Sequence, residues 1–258
     1  MKNYISYSEM RIWAECPYKH KLIHKDKISL FKGNEFTAFG KAVHDTCENT
    51  LLNEFVEFDS EKYFIDSFYK EISKVKKTTD LDENLVLGMV NQGRNLSPLI
   101  LPATKQYFKE YEVLGTEERL YEDIEEFEGF KFKGYIDLIL KDKHGKIHIV
   151  DWKTCSWGWD AEKRNDKMII YQLVLYKYFY AKKYGIKNLD DIDIHFALLK
   201  RTAKKDHVEF FKTTSGSRRT KNSLKILYNA IYNIKKNNHI KNKLSCGRCE
   251  FKHTEYCK

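Results

Sequence analysis

The chain has 258 residues, of which 42% are hydrophobic and 14% aromatic, and this composition excludes an intrinsically disordered protein. Its 46 lysines and arginines outnumber 37 acidic residues, which gives a net charge of +9. The basic excess indicates either a polyanionic partner or the amino-acid bias of a genome, and composition alone does not separate the two.

The first residues, MKNYISYSEMRIW, lack the apolar core of a signal peptide. No stretch approaches the roughly 20 apolar residues that a membrane span requires. We therefore expect a cytoplasmic protein with no membrane partner. In a reducing compartment the six cysteines are expected to be metal ligands or free thiols rather than disulfides.

The N-terminal part is predicted to be mainly helical. Ser6 and Glu9 have the spacing of a capping box, which predicts a short helix that runs into Cys16. A second helix is predicted over residues 35–58, and a helical stretch interrupted by Pro98 and Pro102 over residues 60–111. The apolar stripe of the second helix consists of Phe36, Phe39, Val43, Cys47, Leu51 and Phe55.

After residue 111 the pattern changes to strands and single helices. Strands are predicted over residues 119–127, 130–140, 146–154, 192–199 and 208–212. Helices are predicted over residues 165–184 and 223–236. This order predicts one mixed α/β domain with a central sheet flanked by helices. Its parts are a helical region (about 1–115), a core (about 116–215) and a C-terminal helix with a cysteine cluster (about 216–258).

The segment GYIDLILKDKHGKIHIVDWKT, residues 134–154, has the pattern of a hairpin. Asp142 and Gly145 stand at the first and last positions of a predicted type I turn. Glycine at the last position suits the left-handed conformation of a three-residue hairpin loop, so Asp142 is expected to pair with Lys146.

Counting back along both strands places two carboxylates opposite each other. Asp137 is expected to face Asp151, and Lys153 shares the face of Asp151 because side chains alternate along a strand. The residues expected to pack on the other face are Ile136, Leu138, Leu140 and Val150.

Facing carboxylates repel each other unless a cation lies between them. A hard divalent ion such as Mg²⁺ or Mn²⁺ prefers oxygen ligands and can activate a water for attack on a phosphodiester. Lys153 can orient that water or offset negative charge in the transition state. The alternative is a solvated polar face, which a lone Asp-x-Lys would favour; the Asp placed opposite favours the metal site.

These residues resemble the PD-(D/E)XK nuclease superfamily, specifically its RecB-like branch. The family pattern is an acidic residue on one strand and an acidic-x-Lys triplet on the next, here Asp137 and Asp151-Trp152-Lys153. The sequence GKAVH, which ends at His44, resembles an early G-x-x-x-H motif. Gln172 and Tyr176 match a Q-x-x-x-Y element on the helix after the triplet, although residues four apart on a helix are also ordinary packing neighbours.

The resemblance implies a restriction-endonuclease-like fold and assigns roles to residues. His44, Asp137, Asp151 and the Trp152 carbonyl are the expected ligands of Mg²⁺ or Mn²⁺. Lys153, Gln172 and Tyr176 complete the expected catalytic set. Glu118 is a candidate for a further acidic residue on the preceding strand.

A C-x-x-C pair at Cys246 and Cys249, followed by Cys257, indicates a metal site. Together with Cys16, these cysteines resemble the arrangement of iron–sulfur members such as the AddB nuclease domain and the CRISPR-adaptation exonucleases. The resemblance implies a 4Fe–4S cluster that joins the two ends of the chain. Zinc is the alternative, with His253 able to replace one cysteine.

Two cysteines and several DNA-contact candidates remain. Cys47 is expected to be buried, and nothing gives Cys155 a catalytic role. Exposed tryptophans near the site could stack on unpaired bases, although packing under the next helix is an equal alternative. Basic residues in presumed loops could contact phosphates, although solvated surface charge explains any one of them. The candidates are Trp157, Trp159, Lys200, Arg201, Arg218 and Arg219.

The expected function is therefore a metal-dependent deoxyribonuclease, bacterial or phage-encoded. We expect an exonuclease on single-stranded or end-containing DNA in recombination, repair or phage DNA processing, with a recombination protein or helicase as a partner. The alternative is a catalytically silent nuclease fold that binds DNA or a partner and carries a zinc or iron–sulfur site.

Overall fold

The computed structural model describes residues 2–257, and a six-stranded mixed sheet lies at the centre of that region. The strands are β1 (Tyr4–Ser6), β2 (Tyr111–Asp123), β3 (Lys131–Asp142), β4 (Ile147–Cys155), β5 (Ile192–Lys200) and β6 (Val208–Thr213). Their order is β1, β3, β4, β5, β6, and β2 pairs with β3. The β1–β3 and β4–β5 pairs are parallel, and the others are antiparallel.

Helices surround this sheet, as the sequence predicted. They are α1 (Tyr7–Glu15), α2 (Pro17–His20), α3 (Glu35–Leu52), α4 (Ser60–Lys76), α5 (Glu83–Leu96), α6 (Ile100–Phe108), α7 (Ala161–Arg164), α8 (Lys167–Tyr184) and α9 (Ser217–Lys235). Short π-helical or 3-10 turns cover Lys21–Lys25, Ser97–Leu99, Leu189–Asp191 and Lys243–Arg248. Between residues 2 and 257, no helix combines the length and hydrophobicity needed to cross a membrane.

Two hydrophobic cores fill the space on the two faces of the sheet. One lies under α1, α8 and α9 and contains Ile139 and Ile149. The other lies under α3 to α6 and contains Leu138, Val150 and the fully buried Trp152. Residues 138–140 of β3 and 149–152 of β4 therefore alternate between the two cores. Ile136, which was expected on the face of Leu138, lies instead in the core with Ile139, so the alternation breaks at Asp137 and that expectation was wrong.

The N-terminal helices begin where the sequence predicted but differ in length. The Ser6 hydroxyl accepts a hydrogen bond from the Glu9 amide, which confirms the start of α1. The second helix, α3, ends at Leu52, so its predicted extension to residue 58 was wrong; Phe55 is 89% exposed and has no core to pack against. The next helical stretch also divides at residues 77–82, where Asp82 caps α5.

Two further boundaries were wrong. The first strand of the core begins at Tyr111 rather than near residue 119, because long β2 pairs along the whole of β3. Helix α9 begins at Ser217 rather than 223. Its first turn is polar and so carries no apolar periodicity that would have marked it. Arg218 and Arg219 therefore lie on a helix and not in a loop.

Candidate active site

The hairpin between β3 and β4 has the predicted turn. The Asp142 carboxylate accepts hydrogen bonds from the amides of His144 and Lys146, both at 2.9 Å. The Asp142 amide donates to the Lys146 carbonyl at 2.9 Å, and Gly145 has φ +83°, a conformation that glycine adopts without strain. The turn therefore sets the predicted register of both strands.

That register brings Asp137 and Asp151 to the end of the β3–β4 ladder. The last paired residues are Leu138 and Val150, so the two aspartates are the next positions along the strands. Here the strands part, and the Trp152 amide donates to Asp137 Oδ2 at 2.8 Å instead of to a backbone carbonyl. The parting of the strands leaves space for side chains from neighbouring helices.

Asp151 is 1% exposed, and its Oδ1 has no hydrogen-bond donor. The Lys153 ammonium lies 2.6 Å from Oδ2 and forms an ion pair with it. This contact offsets charge, but it leaves most of the carboxylate lone pairs without a donor. Because buried charges are stable only when paired and coordinated, Asp151 has the capacity to bind a further cation.

Asp137 and His44 lie beside this carboxylate. Burial, and next the negative charge of Asp151, raise the pKa of Asp137 well above its usual value. His44 on α3 places Nδ1 3.6 Å from Asp137 Oδ2, and the Trp152 backbone also hydrogen-bonds this imidazole. Burial lowers the pKa of His44, so its neutral ring, the form that binds metals, is favoured.

Helix α8 contributes the predicted glutamine and tyrosine. Lys153 Nζ donates to Gln172 Oε1 at 3.1 Å, and Gln172 Nε2 donates to Tyr176 Oη at 3.3 Å. The Tyr135 backbone also hydrogen-bonds the Tyr176 hydroxyl, at the edge of β3 that is left open where β3 and β4 part. A continuous polar chain therefore runs from Asp151 through Lys153 to α8.

The acidic residue nearest Asp137 on β2 is Glu117, which sequence reasoning missed. The charge of Glu117 contributes to the raised pKa of Asp137. Glu118, the residue singled out from the sequence, instead hydrogen-bonds Lys183 and Tyr184. Glu117 has φ +47°, which interrupts the alternation of side chains along β2, so no local pattern could have selected it over Glu118.

Comparison with known proteins decides the family. The profile of the PD-(D/E)XK nuclease superfamily matches residues 4–257. The chain belongs to this superfamily. A search of the curated proteins finds no match.

Solved structures also resemble this nuclease fold. A crystal structure of a candidate exonuclease from Eubacterium rectale has a TM-score of 0.59 and 13% identity over 96% of this chain and 86% of that one, which shows a shared fold. The structure of SSO0001 has a TM-score of 0.42 and 14% identity over 97% of this chain and 84% of that one.

The raised pKa of Asp137 predicts a stability effect in this PD-(D/E)XK protein. When a carboxyl has a higher pKa in the folded protein than in the unfolded chain, the metal-free protein loses stability as pH rises above the unfolded-state pKa of about 3.9. Asp137→Asn removes the charge but keeps an oxygen for the Trp152 amide. At pH 7 in EDTA, we expect the variant to melt roughly 2–4 °C higher than wild type, and to lose cleavage in Mn²⁺.

Calorimetry between pH 3 and 8 checks this expectation. The difference in melting temperature should vanish near pH 3, where the Asp137 carboxyl of wild type is protonated in both the folded and unfolded states. A variant that is less stable than wild type at pH 7 without metal would contradict the assignment of mutual repulsion to Asp137 and Asp151.

Gly134 allows the close approach of α8 to β3. A Cβ at this position would lie 2.7 Å from Tyr176 Cε1, closer than carbon atoms approach in proteins. We expect Gly134→Ala to displace Tyr176, to destabilise the fold by about 1–3 kcal/mol and to slow cleavage. Gly115→Ala on β2 is the matched control, because no atom lies within 4 Å of its Cβ. Equal melting temperatures for both variants would disprove the steric argument.

The four cysteines assigned to a cluster line one cavity of about 370 Å³. Their segments are also joined directly: the Asn242 amide donates to Cys16 Sγ at 3.4 Å, and the Tyr18 amide donates to the Ile240 carbonyl at 3.2 Å. His253 lines the same cavity. Cys16, Cys246, Cys249 and Cys257 are therefore brought together, and Cys47 is fully buried in the core under α3.

Two of the residues predicted to contact DNA, Trp159 and Lys200, are buried in the structure. Trp159 is 8% exposed and packs against Phe196 and Phe211, so the packing alternative applies to it. Lys200 is also 8% exposed, lies at the end of β5 and pairs with Glu209 at 3.3 Å.

The other candidates remain accessible to different degrees. Trp157 is 71% exposed beyond the end of β4. Arg201 hydrogen-bonds Gln92 and Ser156. Arg218 is exposed and Arg219 is half-buried, where it donates to the Thr214 carbonyl at 2.9 Å.

Proposed function

We propose that this chain is a divalent-metal-dependent deoxyribonuclease that acts on single-stranded or end-containing DNA, as an exonuclease. The observation that carries the proposal is the buried Asp151 carboxylate beside Asp137 and His44, which pairs with Lys153 through Oδ2 and has no donor at Oδ1. Two carboxylates, Asp137 and Asp151, share this enclosed site, and the single Lys153 ammonium offsets only one of their two negative charges, so a further cation is needed when both are ionised.

The residues present fit Mg²⁺ or Mn²⁺. Two carboxylates and a backbone carbonyl are the oxygen ligands that hard divalent ions prefer, and Mn²⁺ accepts an additional imidazole ligand more readily than Mg²⁺ does. In this proposal Asp137, Asp151, His44 and the Trp152 carbonyl hold the ion. When bound, the ion polarises the phosphodiester and neutralises the charge that develops on its oxygens.

The side chains of the site supply orientation and charge. Lys153 orients the attacking water in line with the scissile bond and stabilises negative charge on the phosphate. Gln172 holds the Lys153 ammonium through its amide oxygen and links it to Tyr176. Gln172 and Tyr176 help to position the strand, and their hydrogen-bonded pair keeps Lys153 from swinging into solvent.

For the cysteine cavity we propose a 4Fe–4S cluster with a structural function. What supports the cluster is that all four cysteines line one cavity and that their arrangement resembles that of iron–sulfur nucleases, which is consistent with ligation by cysteines alone. Zinc, which also binds four thiolates, is the alternative. Such a cluster, when bound, ties α1 to the C-terminal segment.

DNA is the proposed partner, with a recombination protein or helicase as a further one. Trp157 is the candidate for stacking on an unpaired base, and Arg201, Arg218 and Arg219 for contacts to phosphates. The whole chain is proposed to act as one nuclease domain in the cytoplasm of a bacterium or of a phage-infected cell.

The test uses anaerobically purified protein with Mn²⁺ and DNA labelled at the 5′ or 3′ end, single-stranded or duplex. Wild type should degrade DNA, the label pattern should give the polarity, and Asp151→Ala should have no activity. DNA binding without cleavage by folded, brown wild-type protein would instead support the silent nuclease fold. Covalently closed DNA, if cut as fast as linear DNA, would disprove an exonuclease.

A further inference from the structure

A second set of potential metal ligands lies away from the carboxylates of the active site. His148 on β4 and Asp193 and His195 on β5 place one ligand atom each within 4.8 Å of one another. Both histidines are buried, and the Asp193 side chain is 16% exposed. We propose that these three residues form a site for a transition-metal ion of the zinc class, which fastens β4 to β5.

The register of two parallel strands creates this cluster. His148 lies beside Asp193, and Val150 lies beside His195, in the β4–β5 ladder. Residues two apart on a strand point to the same face, so all three side chains project toward the face covered by α6. Asp151, three residues after His148, projects to the opposite face, so the two sites do not share ligands.

The distance between the two imidazoles matches a shared metal ion. His148 Nδ1 and His195 Nε2 are 3.0 Å apart. Two nitrogens that each lie about 2.0–2.1 Å from a tetrahedral zinc ion are about 3.3 Å apart. To bind one ion, the two nitrogens must separate by a few tenths of an ångström and both must turn their lone pairs toward it, so that the ion replaces the hydrogen bond between them. Nitrogen ligands favour zinc and similar ions over Mg²⁺.

The outer nitrogens of both rings have the partners that orient metal-binding histidines. His148 Nε2 lies 3.2 Å from Asp142 Oδ2, and His195 Nδ1 lies 3.3 Å from the Tyr107 hydroxyl. A carboxylate behind a histidine fixes its tautomer and strengthens its bond to a metal.

The third ligand lies at the rim, where an ion can enter. Asp193 Oδ2 pairs with Lys212 at 2.7 Å and with Lys146 at 3.5 Å. Both lysine side chains are more than a third exposed, so they can move into solvent when the carboxylate turns to a metal. Without a metal, the two histidines form a hydrogen-bonded relay between Tyr107 and Asp142. Zinc binding distinguishes the two arrangements.

The test measures zinc binding to chelator-treated protein by equilibrium dialysis and by thermal unfolding. Asp193→Asn keeps the shape of the side chain but removes its charge, and we expect it to weaken one zinc site at least tenfold. In wild type, zinc at a hundredfold excess over its Kd should raise the melting temperature by roughly 5–10 °C, and by less in Asp193→Asn.

Two controls separate this site from the others on the chain. Asp151→Asn alters the active site and Cys246→Ser alters the cysteine cavity, and each should keep the zinc affinity that Asp193→Asn loses. In the wild-type protein, the ring-nitrogen NMR signals of His148 and His195 should shift together on addition of zinc. Unchanged affinity in Asp193→Asn, or unshifted signals of both histidines, would overturn the proposal.

Discussion

Lys153→Ala should slow metal-dependent DNA cleavage by about 10²- to 10⁴-fold while leaving DNA binding nearly unchanged. Lys153 is the only cation that contacts Asp151 among residues 2–257, and Gln172 holds it in place. Its loss removes the group that orients water, yet leaves Asp137 and Asp151 free to bind a metal. The effect should therefore appear in the rate of the chemical step rather than in metal affinity.

Single-turnover cleavage in Mn²⁺, with DNA affinity measured in Ca²⁺, checks this expectation. Lys143→Ala is the matched control because Lys143 lies in the turn of the same hairpin, is 54% exposed and pairs only with the surface residue Glu110. It makes the same change in net charge and should keep the wild-type rate. Wild-type cleavage by Lys153→Ala would mean that the assignment of Lys153 is wrong.

Gln172→Leu refines this experiment because it keeps the size of the side chain but removes the oxygen that accepts from Lys153. The hydrogen bonds of the Gln172 side chain go to Lys153 and Tyr176, and not to Asp151 or Asp137. We expect a smaller loss of rate than for Lys153→Ala, and no further loss when both changes are combined, since both act through the same ammonium. If instead the two substitutions lower the cleavage rate independently, so that their effects multiply in the double variant, Gln172 has a function separate from that of Lys153.

Cys246→Ser should abolish the brown colour of anaerobic protein and destabilise the fold by about 3–5 kcal/mol. The cavity lined by Cys16 and Cys246 joins chain segments that are separated by almost the whole sequence. A link between such distant segments restricts the unfolded chain more than it restricts the folded one. For a domain of this size the corresponding fall in melting temperature is about 10 °C.

Absorption spectra, iron and sulfide analysis and calorimetry measure this result. Cys155→Ser is the matched control, because Cys155 is a half-buried free cysteine that does not line the cavity. That variant should keep both colour and melting temperature. Zinc in place of iron in wild-type protein would favour the alternative metal, and a Cys246→Ser variant as stable as wild type would disprove a structural link between the two ends.

Much of the active-site hairpin could be predicted because its determinants are local. The turn depends on Asp142 and Gly145, and the strict period of two along a strand then fixes which residues face each other. Leu138 does pair with Val150, as the count from the turn requires. On β2 the alternation of side chains between the two faces does not hold at Glu117, because the positive φ of this residue interrupts it.

The prediction of exposure was less successful because burial depends on distant elements. Trp159 and Lys200 are close in sequence to exposed, basic segments, yet both are buried where β5, β6 and the segment after β4 meet. The ends of helices also moved where apolar periodicity was weak, as at the polar start of α9.

The sequence by itself determined the hairpin, its facing carboxylates and the order of the cysteines, because each depends on spacing along one segment or on residue type. Only the tertiary structure decided that Asp151 is buried with no donor at Oδ1 and that Lys153 is held by Gln172. It also brought His148 beside Asp193, because parallel strands such as β4 and β5 are joined by a crossover and not by a turn. No local pattern encodes which strands become neighbours, since that choice is made by the packing of helices against both faces of the sheet.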